Sequence, residues 1–108
     1  MAPLARFRVV ELGVGPVTGL ATMVLADFGA DVVKVVPKGG DPFAAMGSWP
    51  LWTRGKRIVE AALDDPDDLS ALRSLIVDST DAVLTTLNRA ERDAIGLDPV
   101  SLGRPDLV

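Results

Sequence analysis

Gly13-Val14-Gly15-Pro16-Val17-Thr18-Gly19 sets three glycines between an apolar run ending at Leu12 and another beginning at Leu20. A glycine-rich turn that opens a helix can cradle a phosphate with its backbone N–H groups. The spacing is G-x-G-x-x-x-G, not the G-x-G-x-x-G dinucleotide fingerprint, and Pro16 removes one donor. The other reading is a tight strand-to-helix turn with no ligand. Arg54-Gly55-Lys56-Arg57 is the densest basic patch, with Trp49 and Trp52 just upstream. Cations and aromatic rings in one loop suit a phosphorylated purine nucleotide. Alternatively the patch is a solvated loop, and the tryptophans cap the core or a subunit contact. Asp64, Asp65, Asp67 and Asp68 form an acidic cluster. Helix capping explains it with fewer assumptions than metal or acid–base chemistry. Glu11 stands at a strand end, where α/β proteins place site residues, or where a side chain simply faces solvent. The chain has no cysteine and no histidine. That excludes disulfides, thiolate metal sites and cysteine nucleophiles, and removes the commonest general base. Any chemistry falls to Asp, Glu, Lys, Ser, Thr or backbone.

The elements that position these residues follow from pattern and punctuation. Arg8–Leu12 is a short β-branched run bounded by glycine and predicts a buried strand. Pro16 suits the first position of a helix after Gly15, with Thr18 as the rival cap. Leu20, Met23, Val24 and Phe28 fall at helical spacing, and Gly29 predicts the stop. Asp31–Val36 predicts the second strand, completing a βαβ unit. Pro37–Pro50 reads as a Gly- and Pro-rich loop. Residues 57–63 are expected as a third strand. Asp65-Pro66-Asp67-Asp68 predicts a capped helix with Leu69, Leu72 and Ile76 as its buried stripe. Residues 81–87 are expected as a fourth strand. Asn88 with Glu91 predicts a capping box, and Gly96 the stop of that short helix. Asp98-Pro99 predicts a further helical turn ending near Gly103, and Asp106-Leu107-Val108 the first residues of a fifth strand. Strands alternating with helices predict an α/β fold with a mostly parallel sheet. A chain stopping on an incipient strand is expected of a segment whose domain is completed elsewhere, and its unpaired edge favours self-association.

A chain of 108 residues suits one small domain. Its apolar stretches are too short and interrupted to span a bilayer, and no secretory signal is evident. A formal net charge of −4 argues against general nucleic-acid binding. A cytoplasmic location is the default expectation.

Three segments together carry a resemblance. RVVELGVGPVTGLATMVLADFGADVVKV, then GGDPF, then WTRGKRIVEAALDDP match in order and spacing the opening of the class III coenzyme A transferases, the CaiB–BaiF family. The likeness runs from about Pro3 to Val108. It implies a Rossmann-like α/β domain, with residues 1–108 as its N-terminal part. C-terminal segments would complete that domain in an intertwined dimer. It further implies transfer of coenzyme A between carboxylic acids, in which an aspartate attacks the acyl thioester and displaces the coenzyme A thiolate. Some relatives are instead acyl-coenzyme A racemases.

The resemblance also assigns positions. The family's nucleophilic aspartate lies downstream of an N-P-R-L-V segment, here Arg104-Pro105-Asp106-Leu107-Val108. No catalytic residue is therefore assigned within the chain, and the segment alone is expected to be inactive. The turn that contacts coenzyme A corresponds to Gly15, Pro16 and Val17. Lys38 stands where relatives bind the adenosine phosphates. Arg54, Lys56 and Arg57 keep the family's basic segment, while the E-N-F lining the pantetheine path becomes Thr85-Thr86-Leu87. Coenzyme A or its acyl thioester is thus the implied substrate, with no tightly bound cofactor and no metal. Two alternatives stand beside this reading. One is a degenerate, non-catalytic domain that contributes structure to a partner. The other is an NADP-binding domain in which Lys38 meets the 2′-phosphate.

Overall fold

A computed structural model describes residues 3–108. Four strands form one parallel sheet in the order β3-β2-β1-β4. They are β1 (Arg8–Leu12), β2 (Asp31–Val36), β3 (Lys56–Glu60) and β4 (Ala82–Thr85). Between them run α1 (Pro16–Asp27), α2 (Trp49–Thr53) and α3 (Pro66–Ser79); α4 (Arg89–Ala94) follows β4. All strand pairs are parallel, so every connection crosses over a face of the sheet.

Period-two alternation sorts the side chains of β1 and β2 onto two faces. On one face Val10, Leu12, Val33 and Val35 pack with Leu72 and Ile76 of α3, and with Leu97 and Leu102. Leu69 is partly buried at the margin of that cluster. On the other face Val9 and Val32 pack with Ala30 and Ala82, backed by Leu25 and Ala26 of α1. Helices therefore cover both faces, which is why β1 and β2 read as nearly continuous apolar runs.

The caps behave as the punctuation predicts. Gly15, not Thr18, is the N-cap of α1, with Pro16 following at the first helical position. Its φ of 86° lies in the left-handed region that favours glycine. The Asp65 carboxylate accepts from the backbone N–H groups of Asp67 and Asp68, a cap worth about 1 kcal/mol. Asn88 and Glu91 close the reciprocal capping box of α4.

Four expectations need correction. The third strand is Lys56–Glu60, not residues 57–63. Ala61 N–H still donates to Val36 O at 2.9 Å, but Ala62 N–H turns to the Asp68 carboxylate, and the chain leaves the sheet. The fourth strand is Ala82–Thr85, because the Thr85 hydroxyl captures the N–H of Leu87 and ends the ladder. The Pro37–Pro50 loop closes early, since Trp49 and Pro50 already belong to α2. Residues 98–103 do form the expected single helical turn, with Leu102 N–H donating to Asp98 O at 3.1 Å and Gly103 N–H to Val100 O at 3.0 Å. Only Val108 of the expected fifth strand makes strand-like bonds. It donates to Asp81 O at 3.3 Å and accepts from Val83 N–H at 2.9 Å.

Candidate functional site

The carboxyl ends of the strands open into a cleft of about 420 Å³. Leu12 and the turn residues Gly13 and Val14 form one wall. Val35, Val36, Pro37 and Lys38 continue from β2, Ala61–Asp64 from β3, and Thr86 and Leu87 from β4. This is where open α/β sheets bind ligands, because successive loops diverge at the strand ends and leave a crevice. The lining is largely apolar. Its charged members are Lys38 and Asp64, and Thr86 adds a hydroxyl. Lys38 Nζ lies 3.4 Å from Asp68 Oδ2. The N–H of Ala62, together with Lys38, holds the Asp68 carboxyl below the ordinary carboxylate value.

Behind one wall of the cleft lies a buried ionic cluster. Glu11 is fully buried, which corrects the solvent-facing alternative. Its carboxylate accepts from Lys34 Nζ at 2.6 Å, Thr22 Oγ1 at 2.6 Å, Lys56 Nζ at 2.8 Å and Thr18 Oγ1 at 3.2 Å. Burial pushes the Glu11 carboxyl up. The hydrogen bonds from Lys34, Lys56 and Thr22, with the Lys34 charge, outweigh that and hold it below its ordinary value. On Lys56 the balance is opposite: burial, together with the Lys34 charge, holds the ammonium below its ordinary value against the pull of Glu11. The directions are compatible, because Glu11 has two cationic donors whereas Lys56 has one carboxylate and a second ammonium nearby. Lys34 also donates to Gly13 O at 3.2 Å and lies 3.6 Å from Asp41 Oδ2. That Asp41 oxygen is buried without a hydrogen-bond partner among the described residues. Asp41 Oδ1 accepts from Phe43 N–H at 2.7 Å.

The sequence-selected residues divide between these places. Lys38, Thr86 and Leu87 come together on the cleft. Gly15 and Pro16 open α1 beside it, and Val17 points outward, 80% exposed. The basic patch is split. Arg54 grips Asp27 at the end of α1, at 2.6 and 3.2 Å. Arg57 pairs with Asp31 at 3.0 Å, at the amino end of the sheet. Lys56 is buried on Glu11. The two tryptophans do not share a loop with these cations. They stack edge to face, with ring centroids 5.2 Å apart, and Trp52 is buried against Gly19 of α1.

Lys34, Asp41 and Thr22 are not singled out by the sequence, Thr18 is marked there only as a rival helix cap, and Ala61, Ala62 and Leu63 are not marked as cleft walls. One signal was available for the cluster. Opposite charges interrupt two otherwise apolar strands, and Glu11 and Lys34 are register partners across the β1–β2 ladder.

Residues 4–108 match the model of CoA-transferase family III, and the chain belongs to that family. It is 36% identical to the succinyl-CoA–D-citramalate CoA-transferase of Chloroflexus aurantiacus, over 88% of this chain and 26% of that one. It is 35% identical to the succinate–glutarate CoA-transferase of Agrobacterium fabrum, over 93% of this chain and 29% of that one. A crystal structure of a hypothetical protein from Mycobacterium tuberculosis superposes on the whole chain with a TM-score of 0.88 and 30% identity. The chain covers 32% of that structure. A CAIB/BAIF family protein from Brucella suis superposes with a TM-score of 0.86 and 28% identity, over 99% of this chain and 32% of that one. The sequence thus spans less than a third of the length of these curated relatives. Among the described residues, no helix is long and apolar enough to cross a membrane.

Proposed function

We propose that this chain supplies the N-terminal part of a coenzyme A-binding domain in an enzyme that transfers coenzyme A between carboxylic acids. The observation that carries the reading is the cleft at the carboxyl ends of a parallel sheet, in a chain of CoA-transferase family III. Its apolar walls suit the pantetheine arm and the adenine face, and the Lys38 ammonium stands at the rim where a phosphate would be held. Gly15, Pro16 and Val17 approach the thioester end. Arg54, Lys56 and Arg57 all hold carboxylates within the segment, so reaching coenzyme A requires exchanging those partners.

The transfer chemistry, nucleophilic attack by an aspartate on the acyl thioester, falls outside these residues. Several aspartates here have other partners: Asp27 and Asp31 hold arginines, Asp65 caps α3, Asp68 holds Ala62 and Lys38, and Asp106 holds Arg104. Asp64 stands at the exposed rim of the cleft. The 108-residue segment by itself is therefore expected to bind without turning over. Self-association, or association with a complementing C-terminal segment, fits the edge strand β3, where Ile58 and Val59 are exposed.

A thermal-shift titration tests the binding reading. Coenzyme A at millimolar concentration raises the unfolding midpoint by mass action, and NADP at the same concentration does not. No shift with coenzyme A would favour a non-catalytic structural domain. A shift with NADP alone would favour the dinucleotide reading.

A further inference from the structure

The Glu11–Lys34 cluster raises a question that stability does not answer. A buried ion pair is often no more stabilising than well-packed apolar residues of the same volume. Valine already fills the positions flanking Lys34 on its face of β2, Val32 and Val36. A third apolar residue would fit the pattern of the strand. What an apolar residue lacks is directed donors, and the donors of Lys34 point at specific groups. One N–H holds Glu11 at 2.6 Å, another holds the Gly13 carbonyl at 3.2 Å, and the ammonium faces Asp41 Oδ2 at 3.6 Å. Gly13 is part of the cleft wall. Asp41 fixes Phe43 through its other oxygen, and the Phe43 ring lies on Gly15, where an added Cβ would sit 3.1 Å from it. One ammonium thus holds the turn after β1, whose Gly13 lines the cleft, and faces Asp41 in the loop after β2, whose Pro37 and Lys38 line it.

We propose that Lys34 is a positioning residue for ligand binding: with Asp41 it sets the turn Gly13–Gly15 and the Phe43 corner in the geometry the cleft uses. Lys34 does not touch the ligand. It acts through the Gly13 carbonyl and through Asp41. The proposal rests on the reading of the cleft as the coenzyme A site.

The test uses the full natural chain carrying these residues and the double variant Lys34→Met/Asp41→Asn. That variant removes one positive and one negative charge and leaves the Glu11–Lys56 pair, at 2.8 Å, intact. Cooperative unfolding is expected to persist. Backbone amides of residues 13–15 and 41–43 are expected to exchange at least about tenfold faster, with α3 unchanged. The KM for an acyl-coenzyme A, or the dissociation constant of coenzyme A, is expected to rise about tenfold, with kcat changed less. A folded double variant with unchanged exchange at both segments and unchanged affinity overturns the proposal. Should the double variant not fold, Asp41→Asn alone, which keeps Lys34 on Gly13, carries the test. Faster exchange at 41–43 with weaker binding supports it, and no change in either overturns it. If coenzyme A fails to bind the unaltered protein while the variant loosens both segments, the cleft reading fails and the positioning role stands.

Discussion

The two faces of the sheet solve the same packing problem with different chemistry. Toward α3, Val10, Leu12, Val33 and Val35 meet Leu72 and Ile76 in a wholly apolar contact. Toward α1, the same strands begin apolar at Val9 and Val32 and turn ionic at Glu11 and Lys34, and Lys56, the first residue of β3, reaches in to Glu11. The ionic half lies at the carboxyl end, next to the cleft. An apolar contact is non-directional and tolerates small slips, whereas a carboxylate with four donors fixes where each donor sits. The α3 face therefore supplies stability. The cleft end of the α1 face adds orientation where a ligand would depend on it.

That contrast can be broken most severely by unbalancing the ionic face. Lys34→Met leaves Asp41 without its nearest cation and Glu11 with one ammonium. A loss of about 3–5 kcal/mol is expected in urea unfolding. A cost below about 1 kcal/mol would place the ionic face on the same footing as an ordinary surface pair. Next comes the close approach of α1 to α2. A Cβ added at Gly19 overlaps the buried Trp52 ring, so Gly19→Ala is expected to cost about 1–3 kcal/mol by overpacking, read from the same experiment.

Acid separates the faces without mutation. The folded carboxyl of Glu11 is held below its ordinary value of 4.5. Its stabilisation is therefore full above that value and is lost as pH falls through the depressed folded value, because the unfolded state binds the proton first. Denaturation curves between neutral pH and acid should show this loss in the wild type and a reduced one in Glu11→Gln. Equal slopes would remove Glu11 from the account of acid sensitivity. The smallest effect belongs to the exposed pair at the opposite end of the sheet. Arg57→Ala is expected to change stability by no more than about 0.5 kcal/mol, since Arg57 and Asp31 are 68% and 49% exposed.

Much of the fold was legible because its signals are local. Gly, Pro and Asp bracket β1, β2, α1 and α3, and their caps follow from side-chain chemistry within a few residues. The fold's less legible parts depend on tertiary partners. WPLWT carries a proline and two tryptophans and has little helical pattern, yet burial of Trp52 against Gly19 supports a five-residue helix. The ends of β3 and β4 are set by Asp68 and by the Thr85 hydroxyl, which capture backbone N–H groups that further pairing would have used. The site was legible in outline. Lys38, Thr86 and Leu87 meet on the cleft, but the basic patch reads as one unit in sequence and as three separate ion pairs in space. Adjacent residues on a strand face opposite ways, so Lys56 and Arg57 cannot serve one ligand from the same face.

The location of coenzyme A on the isotope-labelled protein is the most direct test. In an NMR titration, the amides of Gly13, Val14, Ala62, Thr86 and Leu87 are expected to shift saturably, while those of Asp31 and Arg57 at the amino end of the sheet stay in place. Shifts centred on Arg54 and Arg57, or none at millimolar coenzyme A, would contradict a coenzyme A site at the carboxyl ends of the strands.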